Sequence, residues 1–235
     1  MRRRALLALV PAVLLAAGCT SSSSTSPSST EAMSPDEVKS KASQAFDNAG
    51  AVHIDLESSG LPKGRDGVSR ATGDGVVSAD RPAFSGEISG VIQGSPAGVE
   101  LIAIDDKTWM SFFTEDFNPI DMATLSAPNP AEFFRPGTGV GQLVSETDGL
   151  TAGAKARDGK VILQEYSGTL PATSVQRLFL LGEDADSFDV TYGIEPESGE
   201  VRRAEIVGEF YESHTMTFTV TLSDYGKSVT VDEPS

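Results

Sequence analysis

Residues 84–94 read Phe-Ser-Gly-Glu-Ile-Ser-Gly-Val-Ile-Gln-Gly. Alternation puts Phe84, Gly86, Ile88, Gly90, Ile92 and Gly94 on one face and Ser85, Glu87 and Ser89 on the other, which is the period of a strand. Just upstream, Ala71, Gly73, Gly75, Val77 and Ala79 repeat the pattern. An apolar face that alternates bulky side chains with none leaves either space or strong curvature. A curved sheet with that face inward encloses a cavity. A helix packed close against the glycines fills the same space, and the pattern alone fits both.

Strands spread outward from this stretch. Val52, Ile54 and Leu56 alternate with His53, Asp55 and Glu57; Met216, Phe218, Val220 and Leu222 alternate with threonines; Phe188, Val190, Tyr192 and Ile194 form another apolar row. Glu195–Gly199 and Asp158-Gly159 read as turns between strands. Ser34-Pro35-Asp36-Glu37 starts a helix, with Ser34 as cap, Pro35 in the first turn and Glu37 completing a capping box. Further helices are expected at Asp121–Leu125, Pro130–Phe134, Val140–Glu146 and Ala172–Leu181. The order is helix, five strands, helices, two strands, helix, three strands. Adjacent strands without crossover helices make the sheet mostly antiparallel and the class α+β.

The N-terminus decides location. Arg2–Arg4 precede the apolar run Ala5–Ala17, which is too short to span a bilayer and has the layout of an export signal. Leu15-Ala16-Ala17-Gly18-Cys19 resembles the bacterial lipobox, although Leu15 lies one place early. Cys19 is the only cysteine of the 235 residues, so it is expected to be the acylated N-terminus, with no disulfide available to the domain. Residues 1–18 are the signal peptide. Residues 19–33 are the acylated cysteine with its Ser/Thr-rich tether, flexible over roughly 20 Å. Residues 34–235 are the folded domain. The expected location is the extracytoplasmic face of the cell membrane, by lipid anchor. The first 18 residues hold three of the 18 Lys+Arg and none of the 34 Asp+Glu, so the remainder carries a net charge of −19. That charge repels phosphate backbones and excludes nucleic acid as a partner.

Catalytic patterns are looked for in vain. There is no G-x-S-x-G and no Ser-x-x-Lys. His53 and His214 sit on polar strand faces, the bland position for a histidine. Glu183–Asp189 lacks the central glycine and closing glutamate of a calcium loop and reads as a solvated acidic turn. No catalytic residue, metal or cofactor is expected.

Several segments together resemble one family. They are the first helix leading into Ala51-Val52-His53-Ile54-Asp55-Leu56, Thr72-Gly73-Asp74-Gly75, Asp105-Asp106-Lys107-Thr108-Trp109, the stretch Pro130–Gly139, and Leu222–Val231. In order and spacing they are similar to the mycobacterial and actinobacterial lipoproteins grouped as LppX/LprA/LprF/LprG, over about Ser34 to Pro234. Tyr225 stands where the family usually has Trp. The resemblance implies a strongly curved half-barrel sheet with helices on its concave face, enclosing a hydrophobic cavity. It also implies a non-enzymatic role: holding acyl chains of envelope lipids, glycolipids or triacylglycerol and assisting their transport outward, sometimes with a membrane exporter. With a cavity so implied, strand periodicity places Ile54, Leu56, Val77, Phe84, Ile88, Ile92, Leu101, Val190, Phe218 and Val220 in it. Phe133, Phe134, Leu143, Val144 and Phe179 would cover it from the helices. The alternative is a tethered, non-catalytic interaction module with a filled core and no lipid.

Overall fold

The computed structural model describes residues 32–112 and 116–234. The expected signal peptide, Cys19 and most of the expected tether lie outside the described residues. Helix α1 (Pro35–Asp47) begins as its sequence dictates. The Ser34 hydroxyl accepts from the Glu37 amide at 3.4 Å, Pro35 occupies the first turn, and Val38, Ala42 and Phe46 face the core.

Eleven strands follow: β1 (Ala51–Ser59), β2 (Gly67–Val76), β3 (Ala83–Ile92), β4 (Ser95–Ile104), β5 (Lys107–Ser111), β6 (Asn118–Pro119), β7 (Asp148–Asp158), β8 (Val161–Pro171), β9 (Ser187–Ile194), β10 (Val201–Tyr211) and β11 (His214–Ser223). They form one open antiparallel sheet in the order β6-β5-β4-β3-β2-β1-β11-β10-β9-β8-β7. The chain thus lays β1 in the middle, works outward to one edge at β6, reappears at the opposite edge as β7, and works back to β11 beside β1.

That jump from edge to edge positions everything else. Residues 120–147 must cross the sheet, and they do so over its apolar face. They form two 3-10 turns, Met122–Leu125 and Pro130–Phe134, and the short helix α2 (Gln142–Glu146). Helix α3 (Ala172–Phe179) and α1 complete the layer. Eleven strands at about 4.8 Å spacing would make a flat sheet roughly 48 Å wide. One continuous core instead runs from Leu101 and Met110 at one side to Leu150 and Tyr166 at the other. The sheet wraps around the helical layer as a half-barrel, the α+β arrangement expected from the sequence.

Differences are local. The helix expected at Val140–Glu146 starts at Gln142, because the Val140 amide reaches back to the Phe133 carbonyl at 2.9 Å. The segment Pro130–Phe134 is 3-10 rather than α-helical. The helix expected to reach Leu181 stops at Phe179, with Leu180 left-handed at φ 54°. Gly94 leaves the strand face assigned to it: Gln93 and Gly94 have φ 49° and 75° and form the tight β3–β4 turn. Ala79 lies past the end of β2.

On the outer face, Val229 and Val231 of the C-terminal segment pack on Val76, Ala83, Ile102, Ile104 and Trp109, a second small apolar cluster. Tyr225, beneath the start of this segment, donates its hydroxyl to the Val201 carbonyl at 2.8 Å.

Candidate functional site

The inner face of the half-barrel is apolar along its length. All fifteen residues placed there from sequence fall into one cluster. Ile54, Val77, Phe84, Leu101, Phe134, Leu143, Val144, Phe179, Val190, Phe218 and Val220 are buried in it, while Leu56, Ile88, Ile92 and Phe133 are half-buried and pack against it. Leu56, Ile88 and Ile92 lie where β1 and β3 run toward their C-terminal ends, so the helical layer covers that end of the face least.

The room above the glycines is filled. A Cβ on Gly75 would lie 2.0 Å from the Phe134 ring. A Cβ on Gly73 would meet the Ser85 carbonyl at 2.4 Å and the Phe84 ring at 2.7 Å, and one on Gly86 would meet the Thr72 carbonyl at 2.2 Å. At Gly90 the neighbour is the Gly67 carbonyl, at 2.1 Å. The missing side chains therefore admit two backbones and two phenylalanine rings. A cavity above these glycines is not what the structure shows: the neighbouring backbone and Phe84 take the space at Gly73, Gly86 and Gly90, and at Gly75 it is taken by Phe134 from the crossing segment, stacked on Phe84 and Phe46 with ring centres 6.0 and 6.4 Å away. Phe133 points the other way, 5.5 Å from Phe179, which joins Phe210, Phe218 and, through Phe210, Phe188 in a second aromatic group.

A void of about 30 Å³ remains near α2, lined by residues that include Phe46, Leu143, Val144, Phe179, Tyr192, Ile206 and Val220. Sites for small ligands measure roughly 300–1,000 Å³, so this void admits no acyl chain as it stands. Of its lining, only Leu143, Val144, Phe179 and Val220 were assigned from sequence; the strand residues Tyr192, Val201, Ala204, Ile206 and Leu222 were missed, as were Phe46, Val140 and Gly141. Tyr192 shares the alternation of Val190 and was legible there. Val201 was obscured by a register shift between Val201 and Arg203 that breaks the period of two.

Polar groups at this inner layer are few and satisfied. Thr147 donates to the Leu143 carbonyl at 2.8 Å, and its oxygen lies 2.9 Å from the Tyr192 hydroxyl, which is therefore the donor in that pair. Burial raises the Tyr192 phenol well above its ordinary value. His53 lies on the outer face with Nδ1 2.7 Å from Asp74, and His214 Nδ1 is 2.9 Å from the Glu212 carbonyl. Neither histidine reaches the inner face. Among the described residues, no group of three or more His, Cys, Asp or Glu side chains is arranged to hold a metal ion. No described helix is long and apolar enough to cross a membrane.

A face of this kind, on a half-barrel of this topology, defines a class. The chain matches the LppX_LprAFG lipoprotein family over residues 34–231 and belongs to it. Two solved relatives share the fold. LprF from Mycobacterium bovis is 14% identical with a TM-score of 0.72, the match covering 86% of this chain and 97% of that one. The Mycobacterium tuberculosis lipoprotein LppX is 20% identical with a TM-score of 0.60, covering 85% and 100%. No curated protein sequence matches the chain.

Proposed function

We propose that this lipoprotein holds the acyl chains of an envelope lipid, glycolipid or triacylglycerol on the inner face of its half-barrel and assists their passage from the membrane outward, without chemistry of its own. In this reading Cys19 carries the acyl anchor, the tether holds the domain at the extracytoplasmic face, and a membrane exporter is the natural supplier of lipid. One observation carries it: a single hydrophobic cluster runs across the inner face of the sheet, from Leu101 and Met110 to Leu150 and Tyr166. Each methylene moved from water to such a face contributes about 0.8 kcal/mol, so the face recognises chain length more than headgroup. Membership of a lipoprotein family supports the anchor.

The filled interior favours one competing reading, a tethered interaction module without lipid. Solvent extraction of the intact, detergent-purified protein, followed by mass spectrometry, separates the two. The expected result is about one non-covalently held acyl lipid per chain. Purified protein that carries no stoichiometric lipid and takes up none from vesicles would leave only the interaction module.

A further inference from the structure

We propose that Phe133 and Phe134 form a displaceable plug and that Arg135, bound to Asp105, is its latch, so that an acyl chain enters by driving residues 129–139 off the inner face. This rests on the lipid-binding reading above and states how that site is regulated.

Phe133 and Phe134 belong to one 3-10 turn, yet each fills a different half of the interior. Phe134 stacks with Phe46 and Phe84 above Gly75, and Phe133 packs on Phe179. Lifting this single turn vacates both places at once. What the rings contribute there is apolar burial without direction, and a run of methylenes on the same face replaces it. The exchange of occupant is therefore close to balanced, and directional contacts decide which state prevails.

Those contacts gather at the periphery of the turn. Arg135 Nη2 lies 2.8 Å from Asp105 Oδ1 and 2.8 Å from Glu132 Oε1, and Nη1 donates to the Ala79 carbonyl at 2.6 Å. Asn129 caps the turn through the Ala131 amide at 3.0 Å and donates to the Asp105 carbonyl at 2.6 Å. Toward the sheet the turn makes one backbone bond, from the Ser78 amide to the Phe134 carbonyl at 3.3 Å. Asp105 is itself fixed at φ 53° in the β4–β5 turn, so the latch closes onto a rigid corner of the sheet. The segment is therefore held by two guanidiniums, one asparagine and a single long amide bond rather than by a strand ladder: besides Arg135, Arg177 of α3, paired with Glu146, donates to the Thr138 carbonyl. A fork of charged hydrogen bonds is the strongest of these.

The test uses the intact protein in nanodiscs, with cis-parinaric acid as the acyl probe and empty nanodiscs as blank. Wild type is expected to take up the probe slowly to about one equivalent. Arg135→Ala is expected to reach the same capacity about ten times faster, the size of a lost set of charged hydrogen bonds, and Arg135→Lys to fall between. Hydrogen exchange supplies a reading that does not depend on rates of uptake. Saturation with the probe should speed exchange of the Ser78 amide, which is bonded to the plug, while the amides of β9 and β10 slow. Probe uptake with equal rates in all three proteins, or a Ser78 amide that gains protection with ligand, overturns the plug and leaves the lipid-binding reading standing. No saturable uptake by any of the three overturns both.

Discussion

The two halves of the sheet solve the same packing problem differently. Around β8, β9 and β10 the strands supply most of their own filling: Tyr166, Leu170, Tyr192, Ile194 and Ile206 are all buried to within 1% of full occlusion. Around β2 and β3 the strands present Gly73, Gly75 and Gly86, and the volume is supplied by Phe84 and by Phe134 from the crossing segment. One half is a core built largely on strand side chains, with Phe46, Leu143, Val144 and Phe179 of the helical layer packed over them. The other is a core completed by a segment that arrives from the far edge and leaves again. A filler on the sheet is fixed by the ladder that carries it; a filler on the crossing segment is only as fixed as that segment.

The largest effect expected from this contrast is at Ile194, which is fully buried in the self-filled half. Ile194→Ala should cost about 2–5 kcal/mol in urea unfolding, the lost burial of the side chain plus the cavity left behind. The glycine half should behave otherwise. Gly86→Ala drives a Cβ against the Thr72 carbonyl, which the β2–β3 ladder holds in place. Gly75→Ala drives one against the Phe134 ring, on a segment that can shift. Both overpack, at about 1–3 kcal/mol, with Gly86→Ala at the upper end and Gly75→Ala at the lower. Only Gly75→Ala should loosen the crossing segment, read as faster exchange of the Ser78 amide. Equal costs with no change at Ser78 would mean that Phe134 is as immobile as a strand residue.

Much of this was legible in the chain because it is local. Ser34-Pro35 started α1, alternation in β1, β2, β3, β9 and β11 together with the turns between strands marked ten of the eleven strands, and the Glu195–Gly199 turn closes as expected, with the Gly199 amide on the Glu195 carbonyl at 2.8 Å. The two-residue β6 carries no period to detect. The faces were readable wherever the period of two held, which is why ten residues scattered over the strand segments meet in one cluster with five from the helical layer. What fills a glycine is a long-range fact: Phe134 lies 59 positions from Gly75, and no local pattern says that its ring fills the space a side chain would have taken. The register shifts in β7 and β10 hid their inward residues for the converse reason, since a bulge moves the face without changing the composition.

The smallest effect, and the one that separates the halves by chemistry, comes with pH. The glycine half is completed by phenylalanines, which do not titrate. The self-filled half contains Tyr192, and Tyr225 is pinned to the Val201 carbonyl at the start of β10. Burial is the main reason both phenols are raised above the ordinary tyrosine value of 10.0, with Glu200 adding to it at Tyr225. The sign follows from which state gives up its proton. Below that ordinary value both folded and unfolded chains keep the phenol neutral, and the contribution to stability is complete. Above it the unfolded chain ionises while the folded one does not, so stability falls as pH rises, by about 1.4 kcal/mol per tyrosine for each unit until the folded value is reached. Tyr192→Phe loses the hydrogen bond to Thr147 and should cost about 1 kcal/mol at pH 8. Thr147 keeps its own bond to the Leu143 carbonyl, so no buried donor is stranded. At pH 11 the same substitution should cost almost nothing, because phenylalanine has no proton to lose. Urea midpoints of wild type and Tyr192→Phe at the two pH values test this directly, and a gap between them that stays constant from pH 8 to pH 11 would show that the phenol is not the buried neutral group of the self-filled half.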